Sequence, residues 1–213
     1  MRVVNVRQGS LEWFVARLGI PTCSNFSRII TPAKGKPSAQ ADDYIAELIA
    51  ETMQSDLPGP QALEKYASPA MQYGTDTEPE ARRYFEMVTN LDVTEVGFCI
   101  SDCGRFGGSP DGLIGEDSGL ELKCPSGKTH VRYLLDGGLP DEYRPQVMGH
   151  LIVSGRPSWW FMSYCIGLPP LLVKVVPDEY TELLRTALED FHGRYKTALE
   201  SIRTIEKRSV AVG

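Results

Sequence analysis

Gly119-Leu120-Glu121-Leu122-Lys123-Cys124-Pro125 is the stretch whose reading decides the fold. Apolar residues alternate with charged ones, and a period of two belongs to a β-strand. Leu120, Leu122 and Cys124 therefore point to one face, into a core, while Glu121 and Lys123 share the other. Pro125 ends the strand because it has no N–H for a ladder. Just before it, Gly115-Glu116-Asp117-Ser118-Gly119 has the composition of a hairpin connection. Ser109-Pro110-Asp111-Gly112-Leu113 is thus predicted to lie alongside, and Asp111 to converge on Glu121 and Lys123.

Two carboxylates and an ammonium brought together suit a hard divalent ion such as Mg²⁺, which prefers carboxylate, carbonyl and water oxygens. The Leu122 carbonyl, between two side chains aimed at the site, offers one more oxygen. A lysine beside a metal-bound water can orient it or take its proton. A Glu-x-Lys pair alone marks nothing, since most such pairs are merely solvated. Here the strand's rear face is apolar, so its charged front faces either solvent or a site, and Pro110-Asp111-Gly112 supplies the other half of a constellation.

These segments resemble the PD-(D/E)xK nucleases, and within them the phage lambda exonuclease or YqaJ-like viral recombinase group. Further blocks carry the resemblance: Glu12-Trp13 with Ala16-Arg17-Leu18-Gly19 and Thr22-Cys23-Ser24, Tyr73-Gly74 with Glu78 and Ala81, and Arg144-Pro145-Gln146-Val147. They stand in the family's order across about residues 10–165. The resemblance implies that Asp111, Glu121 and the Leu122 carbonyl hold Mg²⁺, one ion or two, with Mn²⁺ as a substitute. It implies that Glu78, from the preceding helix, completes the shell and that Lys123 activates the attacking water. Arg17, Ser24, Ser109 and Gln146 match residues around a terminal 5′-phosphate, and Asp102 lies near a further acidic position. Met148 departs from the family's frequent Gln-x-Gln.

The activity so implied is 5′-to-3′ digestion of one strand of linear double-stranded DNA to mononucleotides, leaving a 3′ overhang for a single-strand annealing protein. The same resemblance implies a homotrimeric ring around DNA, encoded by a phage or prophage and working in the bacterial cytoplasm. A structure- or sequence-specific endonuclease could use the same three residues, and a non-catalytic DNA-binding module could keep the fold.

Composition is compatible with this. The chain has 213 residues, 42% of them hydrophobic, enough to bury a sizeable core as a single domain. No stretch approaches the roughly 20 apolar residues of a membrane span, and Met1-Arg2-Val3-Val4-Asn5 lacks a signal peptide's apolar run. The five cysteines are irregularly spaced, with Cys99 and Cys103 the one close pair, so reduced thiols are expected rather than a zinc or iron–sulfur site. His130, His150 and His192 are scattered and read as ordinary helix residues.

The formal charge of −6 looks wrong for a protein that touches phosphates. Its distribution answers the objection: six basic residues stand against one acidic over residues 1–41, four against seventeen over 42–121, and twelve against ten over 122–213. The acidic middle holds Glu78, Asp111 and Glu121, which divalent ions would partly neutralise, and the basic first part holds Arg17 and Arg28. Solvated helix faces would give the same asymmetry.

Along the chain an α/β pattern emerges: a central mixed β-sheet flanked by helices, with a helical part over 1–90, a catalytic sheet core over 91–177 and a C-terminal helix over 178–205. Ser10 is placed to cap a first helix through Leu18, with Trp13, Phe14 and Leu18 toward the core. Ser24 is placed either to cap a short helix ending before Pro32 or to aim its hydroxyl at an anion. Thr31–Ser38, rich in Pro, Gly and Lys, suits contact with DNA or mobility. Tyr44 to Met53 is amphipathic, Asp56–Pro60 interrupts it, and another helix runs from Gln61 toward Val88 with Gly74 and Pro79 as breaks. Strands are predicted at Val93–Ser101, near Arg105, and at Asp111–Ile114, Leu120–Cys124, Ser158–Ile166 and Leu171–Val176. Helices are predicted at Lys128–Leu135, Asp141–Val153 and from Asp178, where Leu183, Leu184, Leu188, Phe191 and Tyr195 recur at helical spacing.

Overall fold

The computed structural model describes the backbone of residues 1–54 and 69–210, and the side chains of residues 1–54 and 76–207. In chain order the elements are β1 (Arg2–Val4), α1 (Leu11–Arg17), a 3₁₀ turn (Cys23–Arg28), α2 (Ala41–Met53) and α3 (Pro69–Thr89). Then come β2 (Phe98–Ile100), β3 (Gly107–Gly108), β4 (Gly112–Ile114), β5 (Ser118–Lys123) and α4 (Gly127–Asp136). A second 3₁₀ turn (Asp141–Tyr143) leads into α5 (Arg144–Ser154), followed by β6 (Trp159–Ser163), β7 (Leu171–Val175) and α6 (Glu179–Val210).

The mixed sheet has the order β4-β5-β6-β7. β4 and β5 form the expected antiparallel hairpin, with Gly112 opposite Leu120 and Ile114 opposite Ser118. β5 and β6 run parallel, which requires a crossover, and α4 and α5 supply it. The period of two is honoured on both strands: Leu120 and Leu122 share a face with Trp160 and Met162, and Glu121 and Lys123 share the other with Phe161 and Ser163. α3 covers the first face, packing Ala81 and Phe85 against Ile114, Leu120, Leu122 and Met162. The second face carries the larger core, in which Val147, Met148 and Leu151 of α5 meet Trp159 and Phe161, backed by Leu184, Leu188 and Phe191 of α6. Each such side chain taken fully from water contributes about 1.5–3 kcal/mol. The class predicted from the sequence, helices flanking a mixed sheet, is the class observed.

A second sheet, order β1-β2-β3, was not anticipated. The strand expected over Val93–Ser101 divides because its two ends have different partners. Thr94 bridges to Leu113 beside β4, whereas Phe98–Ile100 pairs with Arg2–Val4. Between them Gly97 passes so close to the N-terminal strand that a Cβ there would lie 2.0 Å from the Val6 carbonyl oxygen. The strand expected near Arg105 is the two glycines of β3, after the turn that Arg105 occupies.

Helix boundaries differ in three instructive places. Pro79 lies inside α3 without ending it; the break at Asp56–Pro60 and the helix start at Gln61 lie outside the described residues. The segment from Asp141 begins as a 3₁₀ turn and becomes α-helical only at Arg144, with Pro145 in the first turn, where a missing N–H costs nothing. α6 starts after Asp178, whose Oδ1 accepts the Thr181 N–H at 3.1 Å while Thr181 Oγ1 accepts the Asp178 N–H at 3.0 Å. Among the described residues no helix is long and apolar enough to cross a membrane.

Candidate active site

Three donors pin the Ser109–Asp111 segment before any ligand is considered. Trp13 Nε1 donates to Ser109 Oγ at 2.8 Å, Gln8 Nε2 to the Pro110 carbonyl at 2.9 Å, and Arg82 Nε to the Asp111 carbonyl at 3.2 Å. At the far end of the hairpin Arg156 Nη1 lies against the carbonyls of Ile114, Gly115 and Ser118 at 3.3, 2.7 and 2.5 Å. The backbone N–H of Asp111 reaches the Leu120 carbonyl at 3.2 Å, and its side-chain Oδ2 accepts the Leu122 N–H at 2.5 Å. In an antiparallel pair one residue's N–H and C=O point to the same edge. The Leu122 carbonyl therefore faces the edge that Asp111 occupies.

Glu121 is only 1% exposed. Lys123 Nζ and Gln146 Nε2 both donate to its Oε1, the amide at 2.6 Å. Its Oε2 lies 3.3 Å from His150 Nε2, and neither atom has a hydrogen-bond partner among the described residues. Lys123 also sits over the Tyr143 ring, 5.1 Å from its centroid. Glu78 projects from α3 toward the same region, where Arg82, one turn on, binds it at 2.6 Å and ties Glu95 at 2.8 Å.

These groups behave as one electrostatic cluster. Burial, then the charges of Glu121 and Glu78, push the Asp111 carboxyl well above the usual range, against the pull of Lys123 and the Leu122 N–H. Glu78 is raised by burial, partly offset by Arg82. Burial also pushes Glu121 up, but Lys123 and His150 together hold it below the ordinary value. Lys123 is the mirror case: burial pulls its amine down, and Glu121 and Asp111 raise it by more.

The donor set suits a hard divalent cation. Asp111 Oδ1 makes no hydrogen bond among the described residues, Glu121 adds a second carboxylate, and the Leu122 carbonyl on the same edge would make the set all-oxygen. No group of three or more His, Cys, Asp or Glu side chains forms a ready cage among the described residues. Mg²⁺ does not need one, because it is commonly bound by one or two carboxylates plus waters and substrate phosphate. Glu78 is paired with Arg82 while its charge acts on Asp111.

The four residues assigned to a 5′-phosphate are distributed as follows. Arg17 stacks on Trp13, its guanidinium carbon 3.9 Å from the ring centroid, and Trp13 in turn holds Ser109. Burial lowers Arg17's value somewhat, opposed by Tyr44 and Glu51, and it makes no salt bridge among the described residues. Ser24 is exposed in the 3₁₀ turn, its hydroxyl 3.3 Å from that of Thr22; Thr22, not Ser24, occupies the cap position. The Thr22–Gly107 bridge keeps this turn beside the segment that leads to Ser109. Gln146 is turned toward Glu121. Asp102 is not brought into the cluster: it is 90% exposed in the turn after β2 and pairs with the amino group of Met1. α1 buries none of its residues fully, so Trp13, bonded to Ser109, and Phe14, packed edge-on against Trp13, are not the core residues expected.

Two residues of the site escaped the sequence reading. His150 is a buried neighbour of Glu121 rather than an ordinary helix residue, and the signal was its i, i+4 spacing from Gln146, which places both on one helical face. Arg82 shows the same spacing from Glu78. His130 is not an ordinary helix residue either: it locks α4 to the sheet, with Nδ1 2.7 Å from Ser163 Oγ and Nε2 2.8 Å from the Pro169 carbonyl oxygen.

Comparison with known proteins finds relatives along most of the chain. Residues 12–157 match the family described as the YqaJ-like viral recombinase domain. An alkaline exonuclease from Laribacter hongkongensis is similar at 30% identity and a TM-score of 0.79, over 96% of this chain and 100% of the other. A structure of that enzyme in complex with dAMP matches equally well, at the same identity and TM-score. A phage-related exonuclease from Haemophilus somnus 129PT shares the fold, with a TM-score of 0.65 at 12% identity over 86% of this chain and 96% of the other. No curated protein matches.

Proposed function

The chain belongs to the family of YqaJ-like viral recombinase domains, and on that premise we propose that it is a Mg²⁺-dependent 5′-to-3′ exonuclease of linear double-stranded DNA. The observation that supports this best is the meeting of Asp111, Glu121 and Lys123 across one hairpin, with the Leu122 carbonyl on the same edge. Asp111, Glu121 and that carbonyl are the residues to hold Mg²⁺, for which Mn²⁺ could substitute. A bound divalent ion lowers the pKa of water and stabilises charge on a phosphate. Lys123, held as an ammonium by its carboxylate neighbours, orients the attacking water and donates to the phosphate oxygen it approaches. Glu78, now paired with Arg82, would be a further oxygen ligand.

Arg17 and Ser109, linked through Trp13, are the core of a receptor for a terminal 5′-phosphate, with Ser24 beside them. A half-buried guanidinium with no salt bridge among the described residues suits a phosphate, which it can grip through two parallel N–H bonds. Stepwise removal of mononucleotides would leave a 3′ overhang, the substrate of a single-strand annealing protein. A trimeric ring around the duplex would make digestion processive, in a phage or prophage setting within a bacterial cytoplasm.

The test is digestion of linear and circular duplex carrying a label at either end, in Mg²⁺ and in chelator. Loss of 5′-terminal label as mononucleotide from the linear form alone is expected. Cutting of the circle would indicate an endonuclease, and binding without cleavage a non-catalytic module; either result ends the proposal.

A further inference from the structure

Helix α5 meets the Glu121 carboxylate at two points. Gln146 and His150, one helical turn apart, face strand β5 together. Gln146 Nε2 donates to Oε1 at 2.6 Å, and His150 Nε2 stands 3.3 Å from Oε2. Those last two atoms are both buried, and among the described residues both lack another partner. Leaving a buried polar atom unpaired is costly, so each is the other's natural complement. The imidazole cannot swing away to satisfy itself elsewhere. One flat side lies on the Trp159 indole, with ring centroids 4.8 Å apart and planes 6° from parallel. Its edge is closed by Gly108, where a Cβ would come within 2.8 Å of Cε1 and 2.9 Å of Nδ1.

We propose that His150 and Gln146 are positioning residues that clamp the two oxygens of Glu121, fixing the plane of the carboxylate before a divalent cation arrives. Neither residue touches the reacting atoms. The inference rests on the metal-dependent reading above and adds to it the device that pre-sets one ligand. Residues that orient a ligand from behind commonly change metal affinity 10- to 100-fold when removed, on the order of the effect expected here.

The competing role for His150 is packing against Trp159, and the ring nitrogen separates the two. His150→Phe keeps an aromatic ring on the indole and removes Nε2; His150→Gln gives up the ring and restores an N–H donor. Isothermal titration of the DNA-free, full-length protein with Mg²⁺ reads the difference, with thermal melting in chelator as the check on folding. Expected results are roughly tenfold or greater weakening in His150→Phe, substantial recovery in His150→Gln, and weakening in Gln146→Leu. Wild-type affinity in a folded His150→Phe overturns the clamp. Should that variant not fold, wild-type affinity in Gln146→Leu overturns it instead. A wild-type protein that neither binds Mg²⁺ nor digests linear duplex removes the nuclease reading and the clamp together, whereas a competent wild type with unaffected variants removes the clamp alone.

Discussion

Asp111 Oδ2 accepts the backbone N–H of Leu122 at 2.5 Å. This bond stitches β4 to β5 one step beyond their last paired residues, Gly112 and Leu120, and the other carboxylate oxygen makes no hydrogen bond among the described residues. The hairpin is thus closed by the very side chain that the proposed chemistry requires.

The acid so placed is under electrostatic stress. Burial, Glu121 and Glu78 raise the Asp111 carboxyl. A group whose folded-state pKa is raised contributes stability that is fully present below its unfolded value, about 3.9, and lost as the pH climbs through the folded one. Asp111→Asn keeps an oxygen for the Leu122 N–H and removes the charge. In chelator it should melt above wild type at neutral and alkaline pH, by roughly 2–4 °C for each kcal/mol relieved, and the gap should close toward pH ~4. Melting curves at several pH values check this; a variant no more stable than wild type at pH 8 would contradict it.

Lys123→Ala should lower the initial rate on linear duplex in Mg²⁺ by about 10²–10⁴-fold, the usual contribution of a residue that handles a proton or charge at the reacting centre. It also leaves Glu121 buried beside one amide and one imidazole. Denaturant unfolding in chelator should therefore show a loss on the order of 3 kcal/mol, as when one partner of a buried pair is removed. Unchanged activity would end the catalytic assignment.

Arg17→Ala should erase the preference for a 5′-phosphorylated end over a 5′-hydroxyl end. A hydrogen bond to a charged group contributes about 1.5–3 kcal/mol, so wild type should prefer the phosphate by roughly 10- to 100-fold. Rates on the two substrates decide it, and equal slowing of both would remove Arg17 from the receptor.

Arg156→Ala should loosen the hairpin tip without touching the chemistry directly. Three carbonyls lose one cationic donor, at a cost of about 2 kcal/mol. Arg156→Lys should recover part of it. Amide hydrogen exchange over residues 112–120 gives the local readout; protection unchanged in Arg156→Ala would refute the role.

The hairpin was legible because its information is local. Alternation places Glu121 and Lys123 on one face, and the glycines of the turn dictate the return. The strand pairing of Arg2–Val4 was not legible, since three half-exposed residues show no period and their partner lies nearly a hundred positions away. β3 is two glycines, which carry no hydropathic signal at all. For the same reason the sequence could suggest that Glu78 and Gln146 belong near Asp111 but not what each touches. Arg82 pairs with Glu78 and Gln146 donates to Glu121, and both outcomes depend on tertiary packing.

At Gly119 a methyl group would fall 2.3 Å from the far edge of the Trp159 indole. That indole supports the imidazole which confronts the buried acid. A glycine of the hairpin and a buried tryptophan therefore form a lock and its spacer. A lineage that enlarged position 119 would have to shrink position 159 in step, or accept a misaimed carboxylate three neighbours away.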